Sequence, residues 1–247
     1  LLTNLGTVTG AVGSQAGGAI TNQGTIAGAV TNAGGLVSTG TITGGLSNSG
    51  SAAVRGTVNG PIANSGALLV NGALAGNGAL SNTGSGAVEV GAGQTWSGLA
   101  SVANTSTNPA GFIINGSLTT AGAVTNAAGS SFLVNTGAAL SSTAGITNSG
   151  LFAARGTVTS PFANTATGEA QAQGALTGAV TNAGRFIVTG GLSGGGFGFS
   201  NGATGQLINT GSSYSGLGAI SNAAGGRIIL GNGVTNATLS GTSLSNA

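Results

Sequence analysis

The sequence predicts an all-β fold, a right-handed parallel β-helix of about a dozen three-strand coils, and three observations point to it. A phrase made of an apolar residue, a polar one, an Asn and a Gly soon after recurs throughout, as in Ile146-Thr147-Asn148-Ser149-Gly150. Its asparagines are Asn4, Asn22, Asn32, Asn48, Asn64, Asn82, Asn104, Asn126, Asn148, Asn164, Asn182, Asn201, Asn222 and Asn246, with steps that run from 16 to 24 residues apart from one of 10. Recurrence near 20 residues is the mark of a solenoid. A second ladder of turn residues falls between these corners: Arg55, Asn71, Gly91, Asn115, Asn135, Arg155, Gln173, Thr189, Asn209 and Gly231. Finally, the apolar residues between the two ladders alternate with period two, and no 3.6-residue stripe persists.

Each coil opens at its Asn. Asparagine tolerates left-handed backbone and can bond nearby main chain, and Gly takes positive φ without steric cost, so Asn-x-Gly reads as a corner. The 10-residue step between Asn22 and Asn32 is too short for a coil, which places one of them in a side loop. The first strand follows, with inward pairs such as Leu68/Val70, Val88/Val90, Phe112/Ile114, Phe132/Val134, Phe186/Val188 and Ile228/Leu230. A second strand comes after the second turn (Leu74, Leu118, Leu140, Val158), and a third leads into the next Asn (Ile62, Val124, Ile146, Val180). Coil lengths that vary, unlike a strict six-residue repeat, and the usual hand of parallel crossovers favour the right-handed form. Pro61, Pro109 and Pro161 lie beside turns, where a missing donor costs little.

Residues 51–64 align with residues 151–164 at an offset of 100, so a block of several coils is duplicated. The chain starts and stops in mid-phrase, and residues 1–247 are expected to form a single continuous β-solenoid, a segment of something longer or a unit that assembles end to end.

Composition narrows the chemistry. With 52 Gly, 40% hydrophobic residues and 2% charged, the chain fits neither an ordinary globule nor a disordered polyelectrolyte. The net charge of +2 comes from four Arg against Glu89 and Glu169, and without Lys or a basic cluster no nucleic-acid partner is expected. Every apolar run is interrupted well short of a membrane span. No cofactor, metal or catalytic residue is expected. The two glutamates are 80 residues apart, and Asp, His, Cys and Lys are all missing, so the usual acids, bases, nucleophiles and ligands are not to hand.

The residues between the inward pairs of the first strand should point outward, and many are aliphatic: Leu69, Ile113, Leu133, Ile187, Leu207 and Ile229. Exposed contiguous patches of this kind mark interfaces. The stripe is either a surface for self-association, lateral or end to end, or it is covered by a flanking segment. Trp96 and Tyr214 occupy the slot held by Leu74, Leu118 and Leu140 in other coils, and read as core residues before sugar-stacking ones. The Thr-x-Thr triplets at 7–9, 41–43 and 157–159 do not recur in adjacent coils, so a flat threonine array is not expected.

The phrases Ile20-Thr21-Asn22-Gln23-Gly24-Thr25-Ile26 and Val30-Thr31-Asn32-Ala33-Gly34 resemble the passenger repeats of bacterial autotransporter and filamentous-haemagglutinin-like exoproteins. That resemblance implies a β-helical stalk at the cell surface or outside the cell, acting in adhesion, aggregation or matrix building. Two functions follow as expectations. One is a structural rod that forms or supports surface fibres through its apolar stripe and coil ends. The other is an adhesin stalk that binds host or surface glycans.

Overall fold

In the computed structural model, residues 1–231 and 236–247 are described, and they form an all-β parallel solenoid of about 13 coils without a helix. The coil that begins at Leu151 shows the plan. Its first strand is Leu151–Ala154, its second Thr157–Thr159 and its third Phe162–Asn164. Each stacks in parallel on its counterpart in the coil before, so that Phe152 lies over Phe132, Val158 over Leu140 and Phe162 over Ile146. Three short strands suffice because their backbone groups bond to the coils above and below, as Thr157 N does to the Ala138 carbonyl and Ala175 N to the Gly156 carbonyl.

The period-two alternation turns one set of residues into the lumen, where they form continuous columns. Val12, Val30, Leu46, Ile62 and Leu80 begin the third-strand column. Phe112, Phe132 and Phe152 stack in the first-strand column, with ring centroids 4.4 and 5.2 Å apart. Ala170 interrupts that column, and Phe162 from the third strand approaches Phe152 at 5.1 Å in a tilted arrangement beside the gap. Volume is thus balanced between columns, as close packing requires.

The 10-residue step has a different origin from a side loop. Asn22 ends a first strand, Ala19–Asn22, and Asn32 ends a third strand, Val30–Asn32, of the same coil. Both are fully buried. Asn4, Asn22 and Ser38 form a short polar column in the first strands, which becomes apolar at Val54.

The corners also work differently from the expectation. Among the described residues no residue other than glycine has positive φ, so the asparagines are extended strand ends. Gly66, in Asn64-Ser65-Gly66, is likewise outside the left-handed region, and is required for another reason: a Cβ there would fall against the carbonyl oxygen of Gly50 in the preceding coil. Positive φ appears instead at turns such as Gly174 (φ 83°), which lets the first and second strands run together as Glu169–Thr177. The 100-residue echo extends to its glycines. Gly45 and Gly145 both have positive φ (91° and 102°), and Leu46 and Ile146 donate backbone bonds to the carbonyls of Pro61 and Pro161.

Candidate functional site

The asparagine ladder runs through the corner at the end of the third strands. Asn32, Asn48, Asn64, Asn82, Asn104, Asn126, Asn148, Asn164, Asn182, Asn201, Asn222 and Asn246 stand in one register. Each side-chain amide donates to the next. Asn48 Nδ2 gives hydrogen bonds to Asn64 Oδ1 at 2.8 Å, to the Ala67 carbonyl at 2.9 Å and to the Gly50 carbonyl at 3.3 Å. One amide therefore ties its own corner to the next coil's corner and first strand. Asparagine suits this place because it carries donor and acceptor on one short side chain. From Asn32 to Asn222 the ladder's rungs are buried and their amides are occupied with these bonds. Asn104, which opens a nominal glycosylation sequon, is one of its rungs.

The outward positions of the first strand form a second continuous column. Val37, Ala53, Leu69, Glu89, Ile113, Leu133, Ala153, Gln171, Ile187, Ile208 and Ile229 stack in register. Leu69 is 38% exposed and Val37 47%, while Ile113, Leu133, Ile187, Ile208 and Ile229 are half-buried. Leu207 does not belong here: it is buried over Phe186, and Ile208 takes the outward place. Asn209, assigned to the second turn ladder, is one residue off in the same way. It is buried over Val188 and donates to the Thr238 carbonyl at 2.9 Å. The signal that resolves this is the corner glycine, since the first inward residue falls two positions after it: Gly66 to Leu68, Gly184 to Phe186, Gly205 to Leu207. Leu230, expected inside, is 49% exposed on the last first strand, Arg227–Leu230.

On this face the coils from Ser51 to Ile113 hold a groove of about 250 Å³, lined in part by Ser51, Ala53, Ala67, Leu69, Glu89 and Ala110. Glu89 Oε1 accepts from Asn115 Nδ2 at 2.8 Å, and Asn135 in turn donates to Asn115 Oδ1. Glu169 lies four coils further on, where Gln171 donates to it at 2.7 Å and Arg185 pairs with it at 2.8 Å. The Gln171 hydrogen bond first, and Arg185 after it, hold the Glu169 carboxyl below its ordinary value against an opposing effect of burial. Exposed as they are, these two charges add little to stability. Among the described residues no group of three or more Asp, Glu, His or Cys gathers in one place.

Trp96 lies between Leu74 and Leu118, and Tyr214 between Leu192 and Leu239, all inside the second-strand column. Both rings are buried, with Trp96 Nε1 and the Tyr214 hydroxyl lacking a hydrogen-bond partner. Burial pushes the Tyr214 hydroxyl pKa far up.

The threonines are better aligned than the triplets suggested. Thr7, Thr25, Thr41 and Thr57 lie over one another in four successive coils, and Thr119, Ser141, Thr159 and Thr177 do so in four others. Thr177 Oγ1 donates to Thr159 Oγ1 at 3.1 Å. The triplet-based reading missed this because only one member of each triplet needs to recur for a column to form. The outer face of the second strands is therefore rich in hydroxyls, in contrast with the aliphatic first-strand face.

No protein-family model and no curated protein sequence matches the chain. Among solved structures, the crystal structure of a TibC-catalysed hyper-glycosylated TibA fragment is similar over 99% of each chain, with 18% identity and a TM-score of 0.44. No helix among the described residues is long and apolar enough to cross a membrane.

Proposed function

We propose that this chain is the rod of a cell-surface or extracellular protein, and that it associates with its own kind through the outward column of its first strands. The observation that carries this reading is the column itself. From Val37 to Ile229 it carries one residue per coil in unbroken register, nine of the eleven are Val, Ala, Leu or Ile, and all but the buried Ala153 are at least partly exposed. At about 4.8 Å per coil, that is a strip close to 50 Å long. Isolated surface leucines need no explanation, but a contiguous strip of aliphatics does. Placement outside the cell follows the repeat style that the sequence shares with exported exoproteins.

Ile113→Lys, Leu133→Lys and Ile187→Lys, combined in one chain, should disperse any assemblies seen by electron microscopy and leave the β circular-dichroism signal intact. Filaments or bundles that persist unchanged in the triple variant count against the strip. A second reading, an adhesin stalk that touches glycans, is favoured by the hydroxyl columns of the second strands. It predicts glycan-array binding that is lost on replacing Thr119, Thr159 and Thr177 by Val, and unaffected by the lysine substitutions.

A further inference from the structure

The rod's association face is built to receive a second copy of itself running the opposite way; we propose an antiparallel, twofold pair centred on Leu133. The inference rests on the association reading above and specifies its geometry. Two observations beyond the aliphatic strip carry it.

The first is the position of its polar interruptions. Glu89 and Gln171 are the two positions in the column that are not aliphatic, and each lies two coils from Leu133, on opposite sides. A face-to-face pair with parallel rods sets every coil against its own copy, so Glu89 meets Glu89 in an apolar surround, which like charges disfavour. With antiparallel rods centred on Leu133, Glu89 meets Gln171, Leu69 meets Ile187 and Ile113 meets Ala153. The Gln171 amide keeps one N–H free after its bond to Glu169, and can give it to the incoming carboxylate.

The second is the neighbouring column, two residues earlier on each first strand. In the first half of the rod it is small: Gly35, Ser51, Ala67 and Ala87. In the second half it is bulky: Leu151, Glu169, Arg185, Gln206 and Arg227. The small half is where the groove of about 250 Å³ lies. Reversal about Leu133 lays each bulky residue on a small one, Glu169 on Ala87, Arg185 on Ala67, Gln206 on Ser51 and Arg227 on Gly35. Arg185 of the second copy then enters the groove one coil from Glu89, bringing opposite charges together where the parallel arrangement brings like ones. A strip about 50 Å long and four residues wide buries roughly 600 Å² per copy, so about 1,200 Å² in all, the lower end of the range for specific pairs.

The chain has no cysteine, so single thiols can report the orientation. Leu69→Cys, Leu133→Cys and Ile187→Cys chains are treated with a short bis-maleimide, each alone and in a Leu69→Cys plus Ile187→Cys mixture. The antiparallel pair links Leu133→Cys to itself, and links the mixture to a product absent from either component alone. Self-linking of Leu69→Cys and of Ile187→Cys, with no gain in the mixture, means parallel rods and overturns the orientation while leaving association intact. Monomeric mass in sedimentation and no cross-link at any site overturns both. As an independent check, Glu89→Arg should weaken the pair about tenfold, and Arg185→Glu in the same chain should recover most of the loss. Equal weakening with no recovery also overturns the antiparallel geometry.

Discussion

At the scale of single residues, the rod depends on amides that are donor and acceptor at once. Asn148 shows how narrowly the chemistry is set. Its Oδ1 accepts from Asn126, while its Nδ2 gives bonds to Asn164 Oδ1, the Gly150 carbonyl and the Glu169 carbonyl. Replacing it by Asp keeps the shape but turns a carboxylate oxygen toward three acceptors in a buried place. The ionised form is disfavoured, so the folded-state pKa of this acid rises above the ordinary value of about 3.9. The sign follows from proton binding. The folded chain holds the proton more tightly than the unfolded one, so stability is least affected below about pH 4 and falls as pH rises toward the raised value. Asn148→Asp is expected to cost roughly 3 kcal/mol or more at pH 7 and clearly less at pH 4, read from thermal melts at the two pH values. An equal deficit at both would mean that charge is not the cause. The glycines obey a similar local logic. Gly66 and its equivalents are needed for the closeness of the neighbouring coil, a demand visible only once the coils are stacked.

At the scale of elements, each strand is too short to stand alone, and its inward column decides its fate. The second-strand column is made of Val, Ile and Leu in most coils, with Trp96 and Tyr214 as its two largest members. Tyr214 stacks on Phe186 at 6.0 Å and meets Phe199 edge-on at 5.8 Å, so its ring is well used while its hydroxyl is not. Removing a buried hydroxyl that has no partner, without changing the ring, removes a desolvation cost. Tyr214→Phe should be neutral or stabilise the chain by up to about 1 kcal/mol, measured by thermal denaturation. A loss of comparable size would show that the hydroxyl has a partner after all. The register of the columns was legible after short and long corners alike, as at Leu68/Val70 after Asn64 and Val88/Val90 after Asn82. It slipped at Leu207 and Asn209, where the inward place that Val188 holds in the coil before is taken by a buried asparagine, which breaks the apolar pair that marks the strand elsewhere. One residue of slip exchanges the two faces of a strand, so Leu207 passes from the outer strip to the core.

At the scale of the whole molecule, the coils interact with their neighbours only, and stability is close to a sum over adjacent pairs. Excision at coil boundaries should therefore be tolerated. Removing residues 149–164 joins Asn148 to Thr165 and leaves a corner of the length found after Asn164, so the shortened rod should melt cooperatively with its β signal per residue preserved. Removing residues 149–156 takes away a strand and a turn, brings unlike columns together, and should abolish cooperative melting. The rod also has distinct faces around its axis, aliphatic on the first strands and hydroxyl-bearing on the second. Its function is proposed from those faces, since charge is nearly absent from the chain.

The fold class, the inward columns, the asparagine ladder and most of the aliphatic strip were determined by the sequence alone, because a phrase that repeats in step with a period-two alternation has one economical way to bury its apolar side. Three things were decided only by the tertiary structure: the second polar column at Asn4 and Asn22, the close-contact role of the corner glycines, and the small and bulky halves of the column beside the strip. Each depends on which residues some twenty positions apart are brought into contact, and a local pattern carries no information about that until the length of every corner between them is known.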